Sequence, residues 1–206
     1  IHAVVLESMG DVFVAGGDLK QLAKLPFDEE GADQVLRLGQ LIASIERCDV
    51  PVIAAVQGAV MGGGCELLVT CDLVVMEQTA SMRFVHAKMG LAPAWGGITR
   101  LLERVGRLAA AELLLLAEPI AAARALELGL CNRVVAAGQA SAAALQLAAH
   151  MHSLPRSSLV AIKRGLREVL DQRRGGALDA EQQLFRAVWG SEAHRGVMGA
   201  FGGRDT

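Results

Sequence analysis

Positive charge is scarce and scattered in this 206-residue chain: 20 Lys and Arg stand against 22 Asp and Glu, for a net charge of -2. Only Lys20, Lys24, Lys88 and Lys163 are lysines. Without a basic block there is no electrostatic footprint for nucleic acid or an anionic membrane surface, and neither is expected as a partner. A membrane span is not expected either. The apolar run between Asp49 and Glu66 is shorter than the roughly 20 residues a span needs, and Pro51, Gln57 and several glycines break it. The four cysteines, Cys48, Cys65, Cys71 and Cys131, show neither CxxC spacing nor a disulfide framework. Free thiols in a reducing cytosol or organelle matrix are expected, and no metal site is. No secretory or transit segment is visible, in keeping with a cytoplasmic or matrix location, although the chain opens on "IHAVVLES", already inside an apolar strand.

What is there suits one well-filled core: 52% of residues are hydrophobic and 20% charged. Short β-branched runs bounded by turn residues predict strands at "HAVVLES" (2–8), "PVIAAV" (51–56), "LVVM" (73–76) and "MRFV" (82–85). Between the first two, "DQVLRLGQLIASIERC" (33–48) places Val35, Leu36, Leu38, Leu41, Ile42 and Ile45 at helical spacing, which predicts an amphipathic helix. The second half is rich in alanine, leucine and arginine and reads mostly as helix. Strand and helix alternate early and helices dominate late, so the sequence predicts a layered α/β core over 1–135 and a helical region over 136–206.

"AVMGGGCELLVTCDL" (59–73) sets Gly62, Gly63 and Gly64 directly before a short apolar helix that carries one carboxylate, Glu66. Each glycine costs a helix about 1 kcal/mol relative to alanine. A tight turn needs only one. A second stretch, "FVAGGDLKQL" (13–22), also ends a strand, passes Gly16 and Gly17 and enters a helix. One bare backbone N–H from each loop can converge on a single oxygen and stabilise negative charge, each donor being worth roughly 3 kcal/mol to a transition state. A Cβ there would hold a substrate away. The same glycines also suit close strand-helix packing, and the residues alone leave both readings open.

These loops, with "PVIAAVQGAVMGGGCELLVTCDLVV", "MGLAPAWGGITRLLERVG" and the tail "SEAHRGVMGAFGGR" in the same order, make the sequence resemble the crotonase (enoyl-CoA hydratase/isomerase) superfamily over nearly its whole length. The resemblance implies an α/β fold, a spiral of ββα units with a C-terminal helical trimerisation region, acting on an acyl-CoA thioester as a homotrimer or dimer of trimers. It implies no separate cofactor, because coenzyme A is part of the substrate. Carried over residue by residue, the oxyanion hole falls on the N–H groups of Gly17 and Gly63, with Gly16 and Gly62 beside the substrate. Glu66 takes a catalytic position, Lys20 lies near the nucleotide end of coenzyme A, Trp95 shapes the acyl pocket and Phe201 reaches the substrate. For Lys20 a solvated helix face is an equal reading. The family's segment ahead of "AVVL", with its Asn-Ala signature at coenzyme A, is missing from the sequence; a fragment or a processed chain would explain that.

A hydratase of this superfamily uses two glutamates to handle the protons of one water. Glu66 matches the first. The second stands four residues before the glycine of "PE-x-x-LG", and the register set by Gly90 puts His86 in its place. Simple hydration, and isomerisation by that second glutamate, are therefore disfavoured. "RFVHAKMGLAPAWGG" (83–97) and "AVWGSEAHRGV" (187–197) resemble the ethylmalonyl-CoA decarboxylase subgroup, which removes CO2 from ethylmalonyl- or methylmalonyl-CoA and leaves an enolate on the thioester oxygen. His86 is then a candidate proton donor, with a structural histidine or a substrate-carboxylate anchor as alternatives. Enoyl-CoA hydration or isomerisation is the second reading, and a non-catalytic acyl-CoA-binding or assembly subunit the third. Glu66 has its own alternative, a buried carboxylate paired with backbone donors. Cys65 reads as a small core residue rather than a nucleophile. His150 and His152, two apart on an alanine-rich helix, do not share a face and read as surface or packing residues.

Overall fold

Three times in succession the chain lays one strand in a first sheet and the next strand in a second. The pairs are β1 (Val4–Glu7) and β2 (Val12–Val14), β3 (Val52–Val56) and β4 (Ala59–Met61), then β5 (Leu73–Glu77) and β6 (Ser81–Arg83). A fourth turn reverses the order: β7 (Ile120–Ala121) joins β6 antiparallel and β8 (Arg133–Val135) joins β5 parallel. The sheets therefore read β1-β3-β5-β8 and β2-β4-β6-β7, with every pair but the last one parallel. This computed structural model describes residues 1–202, and its strands form the expected spiral of an α/β fold.

Helices fill the returns: α1 (Leu19–Leu22), α2 (Glu29–Arg47), α3 (Gly63–Leu68), α4 (Gly97–Leu116, broken at Gly106), α5 (Ala122–Glu127), α6 (Ala140–His152), α7 (Arg156–Arg174), α8 (Ala177–Val188) and α9 (Glu192–Gly202). Strand β3 shows why "PVIAAV" carries no polar alternation. Val52, Ala54 and Val56 enter the core between the sheets, while Ile53 and Ala55 meet α6 on the other face. A strand covered on both faces reads as a continuous apolar run.

Several sequence-based bounds move. The helix expected over 33–48 begins at Glu29, because the Asp28 side chain accepts the Gly31 N–H at 3.1 Å and Glu29 and Glu30 favour a helix N-terminus. On it Val35 and Leu36 are buried, whereas Leu38 and Leu41 are exposed. The strand expected over 82–85 stops at Arg83; after the buried Phe84, Val85–Met89 coil into a 3-10 turn that carries His86. Strands β7 and β8 interrupt the helical second half and are too short to impose a period on the sequence. All four cysteines are free, and burial pushes the Cys65 and Cys71 thiols up to about 12. Among the described residues no helix is long and apolar enough to cross a membrane.

Charged side chains tie the late helices to the spiral. Lys163 of α7 donates to Asp72 Oδ2 at 2.7 Å and to the carbonyls of Ile45 and Val50. Arg174 bridges Glu46 and Glu103, and Arg100 also holds Glu46. Helix α9 is fixed by His194, a fully buried ring 4.5 Å from Trp189 and 5.4 Å from Phe27, centroid to centroid.

The Gly190 N–H donates to His194 Nδ1 at 3.0 Å, so the ring is neutral with its proton on Nε2. Burial holds its pKa below the ordinary histidine value. A base depressed in the folded state contributes stability that is full above its unfolded value, about 6.5, and is lost as the pH falls below it. Thermal unfolding followed from about pH 7.5 to 5.5 is expected to lower Tm more steeply in the wild type than in His194→Gln. Equal slopes would assign the acid sensitivity to other groups.

Candidate active site

Strands β2 and β4 are neighbours, with Val14 opposite Val60, and each runs directly into its glycine loop. The loops consequently touch: a Cβ on Gly16 would lie 2.9 Å from the Met61 carbonyl oxygen and 3.3 Å from Gly63 N. The three glycines after Met61 meet three separate demands. Gly62, at φ +53°, turns the chain from β4 into α3 while its N–H donates to the Arg83 carbonyl at 2.9 Å. A Cβ on Gly63 would fall 2.0 Å from Trp95 Cζ3, and one on Gly64 2.5 Å from the Val14 carbonyl oxygen. Neither the Gly17 nor the Gly63 N–H has an acceptor among the described residues.

One turn into α3, the Glu66 carboxylate is 2% exposed and fully engaged. Its Oε2 accepts the N–H groups of Trp95 (2.7 Å) and Gly97 (3.0 Å), and its Oε1 that of Ala94 (3.4 Å). The fourth contact is His86 Nε2, 3.0 Å from Oε1. An ionised carboxylate only accepts, so Nε2 carries the proton in that bond. The other ring nitrogen, Nδ1, has no partner among the described residues. Gly97 makes the docking possible, since a Cβ there would meet Glu66 Cγ at 2.7 Å. A second buried carboxylate, Glu181 of α8, accepts from Ile98 N, Thr99 N and Thr99 Oγ1 at the same helix end. Burial pushes the Glu181 carboxyl above the usual carboxylate range; hydrogen bonds from Thr99 and Ile98 oppose the rise and the Glu66 charge adds to it.

Gly16, Gly17, Gly62, Gly63, Glu66, His86 and Trp95 all border one cavity of about 340 Å³. Its apolar wall draws Leu22, Val35, Leu91, Phe185 and Met198 from distant parts of the chain. Trp95 is held against it by a 2.8 Å bond from Nε1 to the Val35 carbonyl. Two expected substrate residues lie outside the wall. Lys20 sits on the exposed side of α1, whose Leu19 and Leu22 face the cavity. Phe201 is 38% exposed, one helical turn beyond Met198, which does line it. Arg83, Phe185 and Met198 were not singled out from the sequence; the last two come from α8 and α9, and no local pattern links them to the glycine loops. Cys65 is fully buried with its thiol on the Val60 carbonyl at 3.3 Å, which excludes it as a nucleophile. His150 and His152 are exposed, the latter 3.2 Å from His2. Among the described residues no three His, Cys, Asp or Glu side chains converge as metal ligands.

The family model for enoyl-CoA hydratase/isomerase matches residues 1–203. The chain belongs to the enoyl-CoA hydratase/isomerase family. A "Probable enoyl-CoA hydratase" of Mycobacterium leprae is 33% identical over 98% of this chain and 77% of its own length. Two proteins named "Ethylmalonyl-CoA decarboxylase" are similar at the same level: that of Gallus gallus is 29% identical over 93% of this chain, that of Xenopus laevis 32% identical over 89%. This chain spans 65% and 62% of those two proteins, less than two thirds of their length. A crystal structure of an enoyl-CoA hydratase/isomerase from Mycobacterium paratuberculosis has a TM-score of 0.89 at 30% identity, covering 97% of this chain and 80% of that one.

In this enoyl-CoA hydratase/isomerase family member the fit of Gly63 to the Trp95 indole is directly testable. Gly63→Ala must displace a ring anchored at Val35, an overpacking that costs about 1–3 kcal/mol and is expected to shift tryptophan emission. Gly165→Ala, whose Cβ would meet nothing within 4 Å, serves as the control. Unchanged emission and stability in Gly63→Ala would contradict the close approach.

Proposed function

We propose that this chain forms the active site of an acyl-CoA thioester decarboxylase, with the thioester oxygen on the N–H groups of Gly17 and Gly63 and ethylmalonyl- or methylmalonyl-CoA as substrate. The observation that carries this reading is the direct Glu66–His86 contact, 3.0 Å, beside two N–H groups without acceptors among the described residues. Hydration needs a water between two proton-handling groups. Here the two groups touch, and the remaining acceptor positions of Glu66 are taken by backbone N–H groups. Loss of CO2 asks for less. The bond from the α-carbon to the carboxylate breaks, the electron pair moves into the enolate, and the N–H pair stabilises the charge that develops on the thioester oxygen. The α-carbon then takes a proton, for which His86 on the cavity wall is the proposed donor; its Nε2 lies on Glu66 and its Nδ1 is buried, so the ring turns to deliver the proton and solvent restores it.

Hydration is the second reading, favoured by the carboxylate retained at Glu66 and by the relatives named as hydratases. Mass spectrometry after incubation with ethylmalonyl-CoA, methylmalonyl-CoA and crotonyl-CoA separates the two. The expected products are butyryl-CoA and propionyl-CoA, with crotonyl-CoA left intact. His86→Ala is expected to slow CO2 release by about 10²-fold or more, as for loss of a positioned acid, and Glu66→Gln, whose amide still caps α4, by less. Efficient hydration of crotonyl-CoA with no CO2 from either malonyl thioester would reverse the assignment, and binding without turnover of any thioester would favour a non-catalytic subunit.

The same reading includes a homotrimer or a dimer of trimers. Leu108, Leu115 and Leu116 of α4 and Ile162, Leu166 and Val169 of α7 are exposed, more apolar surface than an isolated chain of this kind usually leaves in water. Light scattering is expected to give a trimer or a multiple of it at micromolar concentration. A stable monomer would refute the assembly.

A further inference from the structure

Arg83 ends β6 opposite Met61, and its carbonyl accepts the Gly62 N–H, so it stands beside the turn that presents Gly63. Strand alternation buries Met82 in the core and turns Arg83 to the cavity wall. Its Nε donates to the Ala117 carbonyl at 2.8 Å, and Ala117 is the sole non-glycine residue at positive φ (50°) among the described residues. That bond fixes the plane of the guanidinium. The two terminal nitrogens make no hydrogen bond or ion pair among the described residues. Glu66 is committed to its four donors, and Glu118, paired with Lys88 at 2.9 Å, feels the Arg83 charge as the weakest of the causes that act on its carboxyl. The cavity wall thus carries a guanidinium that makes no ion pair among the described residues.

We propose that Arg83 anchors a carboxylate on the acyl part of the substrate, which makes thioesters of dicarboxylic acids the class this cavity selects. The proposal rests on the placement of the thioester oxygen at Gly17 and Gly63. Arg83 borders the same cavity as Gly17, Gly62 and Gly63, so the acyl part of a thioester held there shares that space with it. A planar guanidinium whose two terminal nitrogens have no partner among the described residues takes a carboxylate bidentately, an interaction that an uncharged acyl chain cannot make. An ion pair kept on the carboxylate opposes its departure as CO2. Arg83 therefore acts in binding and orientation, and its loss appears in KM more than in kcat.

Two ligands isolate the interaction: butyryl-CoA, and butyryl-CoA carrying a sulfonate on the α-carbon, an anion that cannot leave as CO2. Calorimetry with wild type is expected to show tighter binding of the sulfonate. Arg83→Gln is expected to weaken the sulfonate by about 10-fold or more while leaving butyryl-CoA within about twofold. Arg83→Lys keeps part of the preference, as a point charge without the fork. With ethylmalonyl-CoA, the rise in KM for Arg83→Gln should exceed the fall in kcat. Equal weakening of both ligands would move Arg83 to the phosphates of coenzyme A and overturn the proposal, as would a wild type with no preference for the anion. Preference for the sulfonate without CO2 release from ethylmalonyl-CoA would uphold the anchor and remove the decarboxylase reading alone.

Discussion

The N-terminus of α4 is built on two buried carboxylates, and the arrangement of the site follows from that. Glu66 from α3 and Glu181 from α8 between them take the N–H groups of Ala94, Trp95, Gly97, Ile98 and Thr99. Burying a carboxylate costs several kcal/mol even after relaxation. Each hydrogen bond to a charged group returns about 1.5–3 kcal/mol, so several must converge on each acid. A helix start offers such a set, because its first N–H groups have no partners within the helix. The consequence is mutual: α4 cannot begin elsewhere, and neither carboxylate can turn away.

That constraint changes what Glu66 can do. A carboxylate already accepting three backbone N–H groups is a poor place to hold a water, but a good support for a histidine. His86 reaches it from the 3-10 turn that replaces the end of the expected strand. The bond commits Nε2 and leaves Nδ1 buried without a partner among the described residues. Besides that pair, the charged side chains on the cavity wall are both cationic, Arg83 and Lys88, and the N–H groups of Gly17 and Gly63 there have no acceptor among the described residues. Such a wall suits an anion, whether an enolate oxygen or a carboxylate.

The spiral supplies the position of these groups and the charged network keeps it. Parallel pairing of β2, β4 and β6 brings their C-terminal ends together, so Gly17, Gly63 and Arg83 emerge side by side although about 70 residues separate the first from the last. Helices α8 and α9 then close the wall with Phe185 and Met198, and they are anchored by Glu181 and by the His194 ring against Trp189.

Much of this was legible in order. Apolar runs marked β1, β3 and β5 because a strand's own residues carry the pattern, and the two glycines at 16–17 and the three at 62–64 marked loops where either a bare backbone or close packing was called for. The family resemblance placed Glu66 and His86 in one site. Sequence could not tell that those two side chains touch, that three backbone N–H groups saturate the carboxylate, or that Lys20 and Phe201 stand outside the cavity wall. It also passed over Arg83, a strand-end arginine like any other until its partners are counted. Contacts between residues 20 to 80 positions apart leave no period in a chain. They are decided when the strands stack, because only then do unpaired donors and acceptors meet.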